Sequence, residues 1–590
     1  MRWYIVENKK KIASENFEGH SDHIEMSGEQ VSAVITYSVK DGVPAYKRQF
    51  AFPMIRIQPN NTFGSYQPEC NLESIKFGEK EQFLRVELDG VLTIFSMAGD
   101  LKISRSFYPS TTLPIFYEQI EITNLGNIDA TPYWEDKKRF DMRIACEGYA
   151  VAERISNAPC RAIHAGETVT IIFAYLARLN NEQVPIEKNP LLKRRARITE
   201  LLSQVDVTTG DEIVDTMFAF AKIRSGESLF RTEKGLIHCP GGMSYYAAVW
   251  CNDQCEYVAP WFAFTGDEKA VESTINSFRW YEPFMNDEYL PIPSSIIACG
   301  KDYWNGAGDR GDASMYLYGL SRFLLTRGQL PDERQKKALE WCAEYIIRKI
   351  NSDGVVVSDT DELENRLSSG INLNTSSLSY GAFGYYATLL KRMEKHQEAQ
   401  KFLELQKKIR NGIENYFGGK VSGYQTYHYH KNCDVIRAWN CLPVYMGILD
   451  RAKQTADSID QKLWTEGSCR STEGEKILWD RSALYYIASL FRMGDSERAW
   501  NKLREFCVTR LLGEHVPYAI EAYPEGGMRH LSAESGLFCR IITDGIINIS
   551  FDEKGYILNP VLPKDVKTVK VNKIYLNGKY ENLVIENKMV

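Results

Sequence analysis

Two kinds of helix alternate along the chain from about residue 211, and this alternation limits the possible folds more than any other feature. One kind is rich in Ser, Gly, Ala and Tyr, as in 374–390, and the other carries Lys and Glu on one face, as in 397–409. Helices that are apolar or small all round are buried, whereas helices with one charged face lie outside. Twelve helices are predicted, and they start near Asp211, Asn252, Glu268, Asp312, Pro331, Asn374, Gln397, Val435, Arg451, Asp480, Ser496 and Ser532.

The alternation groups these helices into six hairpins, each with an inner and an outer member. Short polar turns such as 266–268 and 494–496 join the members. Six hairpins of this kind describe an (α/α)6 toroid. An α-solenoid is the alternative, but no repeat of fixed length separates the hairpin turns.

The chain before this region has the pattern of β structure. Alternating or β-branched runs at 30–37, 83–95, 115–122 and 167–175 are separated by Gly, Asn, Asp and Pro turns. Many short strands with few helical runs predict a large antiparallel β-sandwich. The charged stretch 187–200 predicts a linker helix.

The pattern returns to β after residue 549, so three domains are expected. They comprise a β-sandwich with its linker helix (1–205), an (α/α)6 barrel (206–549) and a short C-terminal β segment (550–590). A chain of 590 residues is also too long for one hydrophobic core.

Composition excludes several functional classes. The net charge of -6 and the even spread of Lys and Arg give no basis for binding nucleic acid or an anionic membrane. No apolar run is long enough to span a bilayer. The 33 Tyr and 11 Trp suit a carbohydrate site, where rings stack on sugar faces, although large cores also absorb aromatic residues.

The cysteines and the N-terminus predict a cytoplasmic protein. Thirteen cysteines without framework spacing are typical of free thiols in a reducing compartment. No signal peptide is visible, and a periplasmic location applies only if one has been removed. We expect no cofactor and no metal, since neither the Cys251–Cys255 pair nor His428-Tyr429-His430 brings enough ligands. The oligomeric state is open, a homodimer included.

Four acidic clusters precede predicted inner helices, where the loops of a toroid line its funnel. They are 250–256 (WCNDQCE), 306–312 (GAGDRGD), 358–366 (SDTDELENR) and 521–534. For any single carboxylate, a helix cap is the simpler interpretation, with Asp253 and Asp312 the best candidates. Their recurrence beside Trp, Tyr and Arg favours a binding site for the set.

The third cluster holds more carboxylates than a cap requires. Crowded carboxylates raise one another's pKa, which keeps a general acid protonated near neutral pH. Pairing one of them with a carboxylate of the fourth cluster gives the two-carboxylate arrangement of glycoside hydrolysis. An inverting enzyme needs about 6.5–9.5 Å between the two groups to admit a water molecule.

This layout resembles the six-hairpin glycosidase superfamily, whose glucoamylase-like, phosphorylase and α-L-rhamnosidase-type members combine a β-sandwich, a helical linker, an (α/α)6 barrel and a C-terminal β piece. The tail 532–549 with 556–563 (YILNPVLP) is similar to the cellobiose-phosphorylase ending. The segment 308–328 resembles the acidic substrate-binding segment of those enzymes, and 359–365 falls where they carry the general acid.

The chain also departs from the phosphorylase pattern. The Asp-Trp-Asn-Asp acid motif is replaced by Asp359-Thr360-Asp361-Glu362, and the small Gly-Ser pair of the phosphate pocket is replaced around Glu534. A carboxylate at that place would repel phosphate and activate water. The resemblance therefore implies an inverting, exo-acting glycoside hydrolase, with a phosphorylase, a polysaccharide lyase or a non-catalytic carbohydrate-binding protein as alternatives.

The predicted site residues fall into a catalytic and a binding group. Glu362, or Asp361 or Glu364, is expected to protonate the leaving oxygen, and Glu534, or Glu525 or Glu521, to act on water. The residues expected to bind sugar are Trp250, Asp253, Glu256, Tyr303, Trp304, Asp309, Arg310, Asp312, Glu521 and His530.

Overall fold

The architecture is an N-terminal β-sandwich, a ring of helices and a C-terminal set of strands. A computed structural model describes residues 2–7, 10–59, 64–243, 248–297, 302–362, 370–515, 517–523 and 532–587. Of the predicted site residues, Glu364, Glu525 and His530 lie outside these ranges.

The N-terminal region consists of two antiparallel sheets packed face to face. Phe50 of the smaller sheet contacts Phe116 and Tyr175 of the larger one, with ring centroids 5.9 and 5.4 Å apart. The larger sheet has the strand order Tyr4–Val6, Lys11–Ser14, Glu81–Leu88, Leu92–Ala98, Leu101–Pro109, Ile115–Asn124, Thr168–Leu179, Gly148–Ser156 and Lys137–Ala145. The smaller sheet has Ser21–Ser27, Ser32–Lys40, Val43–Arg56 and Ser65–Tyr66 in order, with Glu69–Cys70 also paired to Val43–Arg56.

The four predicted β runs are all strands, with one difference. The run 83–95 contains the turn Asp89-Gly90, so it forms the two strands of a hairpin. Gly90 has a φ of 88°, which a residue with a side chain rarely adopts, and this explains why the chain reverses at that point. The predicted linker is helix α1 (Pro190–Ser203).

Within the described residues, twelve further helices form a closed double ring, which confirms the (α/α)6 toroid. The even-numbered helices are outer and the odd-numbered ones inner, and the last inner helix packs against the first, which a solenoid cannot do. They are α2 (Glu212–Ser225), α3 (Ala259–Phe262), α4 (Glu268–Tyr281), α5 (Asp312–Arg327), α6 (Glu333–Lys349), α7 (Leu373–Arg392), α8 (His396–Gly412), α9 (Leu442–Tyr445), α10 (Ala452–Lys462), α11 (Asp480–Arg492), α12 (Ser496–Leu512) and α13 (Ala533–Arg540).

Five of these helices are extended by segments of different winding, and one of these segments, the 3-10 turn Glu282–Phe284, continues α4. A π-helix, Asp253–Val258, leads into α3, and a 3-10 turn, Ala438–Cys441, leads into α9. The π-helices Ile413–Phe417 and Ile541–Ile546 continue α8 and α13. Such π segments are frequent at functional sites, and Asp253–Val258 carries two of the candidate residues.

Small residues let the inner helices approach closely. A Cβ on Gly319 of α5 would lie 2.4 Å from the backbone oxygen of Cys255. A Cβ on Gly536 of α13 would lie 2.7 Å from Val258, and one on Gly381 of α7 would lie 2.5 Å from Met446. Because no larger side chain fits at these contacts, the inner helices are rich in Gly, Ala and Ser.

The remaining strands are short and complete the loops and the C-terminal segment. Strand Thr568–Leu576 pairs with Asp206–Thr208 on one side and with Lys579–Glu586 on the other, so the C-terminal strands lie against the start of the ring. The other strands are Leu229–Thr232, Gly235–His238, Ala248–Trp250, Ser295–Ile297, Tyr303–Trp304, Gly418–Val421, Tyr424–Tyr427, Trp464–Thr465, Ser468–Cys469, Leu478–Trp479, Ala522–Tyr523, Ile549–Phe551 and Tyr556–Leu558.

The described residues also bear on the predicted free thiols and on the predicted absence of a membrane-spanning segment. Twelve of the cysteines lie within them, and all twelve are free thiols. Within the same part of the chain, no helix is both long and apolar enough to cross a membrane.

Candidate active site at the mouth of the toroid

Four buried carboxylates meet where the inner helices begin. Asp253 and Glu256 lie on the π-helix before α3, Glu362 ends the described part of the loop before α7, and Glu534 lies in the first turn of α13. All four are at most 4% exposed. Burying several carboxylates together is unfavourable unless each is paired or serves a function, so their contacts decide what this cluster is.

Arg481, in the first turn of α11, is the cation at the centre of the cluster. Its Nε and Nη2 donate to Glu534 Oε1 at 3.0 and 2.6 Å. Its Nη2 also lies 3.7 Å from Asp253 Oδ1 and 3.5 Å from Glu521 Oε1. One arginine therefore serves three carboxylates and binds Glu534 most closely.

Two tyrosines hold the other two carboxylates. The Tyr257 hydroxyl donates to Glu362 Oε2 and the Tyr485 hydroxyl donates to Glu256 Oε2, both at 2.7 Å. The Arg481 guanidinium lies 5.5 Å from the centre of the Tyr257 ring. Glu362 and Glu534 are thus linked through one tyrosine and one arginine.

Each of the four carboxylates keeps one oxygen without a hydrogen-bond donor among the described residues. These buried atoms are Glu362 Oε1, Glu534 Oε2, Glu256 Oε1 and Asp253 Oδ1. The side-chain amides of Gln254 and Asn374, in the first turns of inner helices, have no partners within the same set of residues. Buried polar atoms are nearly always hydrogen-bonded in folded proteins, so a cluster of open ones marks a place for a polar ligand.

Burial is the main cause of raised pKa values in this cluster. It raises the pKa of Glu362 to about 7, with the charge of Asp361 adding to the rise and Arg481 and Tyr257 opposing it. It also raises the pKa of Glu256, to which the charge of Glu362 contributes. Burial raises the pKa of Glu534 to about 8, an effect that Arg481 opposes and to which the charges of Asp253 and Glu521 add.

The expectation that crowding within 358–366 raises the pKa values of its carboxylates holds in part, because the charge of Asp361 adds to the rise in the pKa of Glu362. Asp359 accepts a hydrogen bond from the backbone N–H of Asp309 at 2.9 Å, and Asp361 accepts one from the Tyr429 hydroxyl at 2.5 Å. Their side chains are occupied elsewhere, and burial of Glu362 is the larger effect.

The helix-cap interpretation of Asp253 and Asp312 is wrong. The N-cap residues are Asn252 and Gly311, and neither makes a side-chain cap. Both aspartates lie one residue further on, inside the first turn, where the helix dipole still favours a negative charge.

The predicted binding residues of the second cluster bind one another. Arg310 Nη2 donates to Asp312 Oδ1 and to Asn252 Oδ1, both at 3.1 Å. Asp309 accepts from the Tyr345 hydroxyl at 2.6 Å and from the Gly311 N–H at 2.8 Å. These contacts shape the loop before α5, and sugar binding by these residues stays a prediction.

The predicted aromatic residues form a partly exposed edge of the mouth. The rings of Trp250 and Trp304 lie 5.7 Å apart at 50°, and Tyr303 beside them is 54% exposed. Tyr303 also packs edge-on against Phe284 at 5.1 Å. The two tryptophans are therefore better placed than Tyr303 to form one stacking surface.

Sequence reasoning did not identify Arg481, Tyr257 and Tyr485 as site residues. A signal for Arg481 does exist, because a cation in the first turn of a helix is unfavourable with the helix dipole. Tyr485 follows Arg481 by four positions, so both lie on one face of α11.

Comparison with solved structures identifies the fold. The chain matches no protein-family model, and no curated protein matches it by sequence. A putative kojibiose phosphorylase from the human microbiome aligns with a TM-score of 0.55 and 11% identity, over 99% of this chain and 95% of the other. A sialidase aligns at 0.51 and 11% over 96% of this chain, which spans only 59% of that protein.

A third solved structure also aligns over most of both chains. A bacterial glucoamylase complexed with acarbose aligns with a TM-score of 0.50 and 11% identity, over 89% of this chain and 95% of the other. Identities this low show the fold alone. The chain thus shares its fold, a β-sandwich followed by an (α/α)6 toroid and a C-terminal β segment, with these solved structures.

Proposed function

We propose that this protein is a glycoside hydrolase that removes a terminal sugar from an oligosaccharide or glycoconjugate by an inverting mechanism. The observation that carries the proposal is the set of four buried carboxylates, each with an oxygen open to a ligand. Sugar hydroxyls are donors that match such acceptors. The fold is also that of proteins named glucoamylase and kojibiose phosphorylase, which adds support.

Glu362 is the proposed general acid. Its pKa of about 7 keeps a substantial fraction protonated at neutral pH, as a general acid requires. Its described donor is a neutral phenol, which favours the carboxylate form less than a cation would. In the proposed reaction, Glu362 gives its proton to the glycosidic oxygen as the bond from that oxygen to the anomeric carbon breaks.

Glu534 is the proposed general base. Two donors of Arg481 hold Oε1 and favour the ionised form, against the burial that raises the pKa of Glu534 to about 8, so the base acts through its ionised fraction. Oε2 has no donor among the described residues. Oε2 would take a proton from the water that attacks the anomeric carbon on the face opposite the leaving group. The products are the free sugar with inverted configuration and the released alcohol.

The other groups of the mouth would bind and orient the sugar. Asp253 and Glu256 have acceptor oxygens open for hydroxyl groups, and Asn374 has an amide that both donates and accepts. The Trp250 and Trp304 rings would stack on a sugar face at the edge of the site. These roles give binding, while the chemistry belongs to Glu362 and Glu534.

Water is favoured over phosphate as the acceptor by the charges around Glu534. Asp253 and Glu521 lie near it, and the guanidinium that could bind phosphate already binds Glu534. A phosphate dianion placed there would meet three carboxylates and one arginine. Phosphorolysis is the alternative reaction, and it differs from hydrolysis in its requirement for phosphate.

The test compares substrates that differ in their need for protonation. Glu362→Gln should slow hydrolysis of substrates with alkoxide leaving groups at least hundredfold, and slow glycosyl fluorides much less, because fluoride leaves without a full proton transfer. Glu534→Gln should slow both substrate types alike, because both need an activated water. Equal loss on both substrate types in Glu362→Gln would contradict the acid assignment.

The identity of the acceptor is tested on the unmodified protein. Hydrolysis predicts a rate independent of added phosphate and a first-formed sugar of inverted anomeric configuration, visible by proton NMR. A rate that requires phosphate and yields a sugar phosphate would replace the hydrolase proposal by the phosphorylase. An unsaturated product absorbing in the ultraviolet would indicate a lyase.

A further inference from the structure

A second cluster of metal-ligating side chains lies away from the four open carboxylates, where the β-sandwich meets the segment after α12. Asp22 and His23 belong to strand Ser21–Ser27, and His515 follows α12. Asp22 Oδ1 lies 2.6 Å from His515 Nδ1, and the two imidazole centroids are 4.6 Å apart. One ligand atom from each residue lies within 4.8 Å of the other two.

Two of the three ligands are buried, His23 is partly buried, and the carboxylate is held in place. Asp22 and His515 are 2% and 7% exposed. Asp22 Oδ1 accepts from the backbone N–H of His23 at 2.8 Å, and Oδ2 accepts from the Tyr37 hydroxyl at 3.4 Å. Outer hydrogen bonds of this kind orient the carboxylate ligands of metal sites.

We propose that Asp22, His23 and His515 bind a divalent transition metal, with Zn²⁺ as the best match. Two imidazoles and one carboxylate with a water in the fourth position is a common zinc ligand set. Tetrahedral ligands at about 2.1 Å from zinc lie roughly 3.4 Å from one another. Shifts of about 1 Å would bring the three ligand atoms to that spacing, with the metal replacing the proton shared by Asp22 and His515 and that proton going to solvent.

A surface pair elsewhere in the sandwich shows what a simple ion pair looks like. His164 Nδ1 lies 2.8 Å from Asp129 Oδ2, with both side chains more than half exposed. Among the described residues, only Asp22, His23 and His515 bring three potential metal ligands together, so His164 and Asp129 have no third ligand there. Asp22 and His515 form a similar histidine–aspartate pair, and His23 adds a second imidazole beside it.

The metal would fasten the segment that leads into the candidate active site. Tyr518 in this segment bonds both backbone groups of Glu25, at 2.7 and 2.9 Å. Two residues later, the N–H of Ile520 donates to Asp480 at 2.8 Å, and Glu521 follows beside Arg481. Metal binding would thus hold the sandwich strand and the Glu521 segment together, whether or not the proposed hydrolase function is correct.

The experiment measures zinc binding to the full chain after treatment with a chelating resin. Titration with Zn²⁺ against a chromophoric chelator should give one site per chain, and Ca²⁺ should not compete because it prefers oxygen ligands. Asp22→Asn, His23→Gln and His515→Gln should each weaken binding at least tenfold. Tyr37→Phe should weaken it by about tenfold, and His164→Gln, the matched surface control, should not change it.

Two results would overturn the proposal. One is a zinc affinity that is the same in the unmodified protein, His23→Gln and His515→Gln. The other is a loss of zinc affinity in His164→Gln as large as that in the ligand variants. Circular dichroism shows whether each variant is folded. If a variant does not fold, Co²⁺ added to the unmodified protein decides, because a tetrahedral site gives intense visible absorption and its absence contradicts the site.

Discussion

Two groups of buried carboxylates in this protein have opposite electrostatics. In the sandwich, Glu118 accepts from Arg48 at 3.0 and 2.9 Å, from Arg105 at 2.5 Å and from Tyr175 at 2.7 Å. Although burial raises it, the two arginines lower the pKa of Glu118 to about 2. At the toroid mouth, one arginine serves three carboxylates and the pKa of Glu362 is raised to about 7.

The toroid itself contains both types, at opposite ends of its inner helices. Near the C-terminal ends, Asp544 is bound by Arg322 at 2.7 and 2.9 Å and by Arg540 at 3.0 Å, and although burial opposes it, the two arginines lower its pKa. At the N-terminal ends, the carboxylates keep open oxygens. A buried carboxylate whose oxygens are all satisfied stabilises a fold, whereas one with an open oxygen is available to a ligand.

Replacing Arg481 should have the largest effect on activity. Arg481→Gln removes the two charge-assisted donors that oppose the rise in the pKa of Glu534, so the ionised fraction that can act on water falls further and we expect kcat to fall at least hundredfold. The control is Arg492→Gln, at the exposed end of the same helix, which should keep full activity. A similar loss of activity in both variants, measured by initial rates, would contradict a specific role of Arg481 at the toroid mouth.

Replacing Glu118 should have the largest effect on stability. Glu118→Gln leaves Arg48 without its anion and Arg105 with Glu81 alone, and we expect about 3–5 kcal/mol of lost unfolding free energy at neutral pH. Since the folded pKa is depressed, this stabilisation is present above the unfolded pKa near 4.5 and is lost as the pH falls toward 2. Urea unfolding at pH 7 and pH 3 measures it, with Glu87→Gln, a partly exposed ion pair, as a control expected to lose under about 1 kcal/mol.

Glu362→Gln should have the opposite effect on stability. The folded pKa of Glu362 is raised, so the folded state binds a proton that the unfolded state has released, and stability declines as the pH rises from about 4.5 to 7. The neutral amide removes this penalty, and we expect the variant to gain about 2 kcal/mol at pH 8 and almost nothing at pH 4. A loss of stability at pH 8 would show that Glu362 is a structural carboxylate like Glu118.

Tyr257→Phe should give the smallest of these effects. The Tyr257 hydroxyl favours the ionised form of Glu362, so its removal should raise that pKa and move the alkaline limb of the kcat/KM profile upward by about one unit or less. Tyr303→Phe, at the exposed edge, should leave the limb in place. A downward shift in Tyr257→Phe would contradict Glu362 as the group that must be protonated.

Local patterns in the sequence are sufficient to predict the architecture. The helix starts near Asp211, Asn252 and Asp480, for example, agree with the structure, because small inner helices and charged outer helices leave a periodic pattern in neighbouring residues. The β runs were equally local, and only the turn at Asp89-Gly90 divided one run into two strands. The acidic clusters were found for the same reason, since each lies within a few consecutive positions.

Contacts between distant parts of the chain determine which of these carboxylates keep an oxygen without a donor and which are hydrogen-bonded on both oxygens. Arg481 meets Glu534 across 53 positions and Tyr485 meets Glu256 across 229, so no local pattern joins them. His515 lies 493 positions from Asp22, which is why no metal ligand set was predicted. Hydrogen bonding depends on distances in the folded chain, and it separates Glu362 from a structural carboxylate such as Glu118, although both are buried.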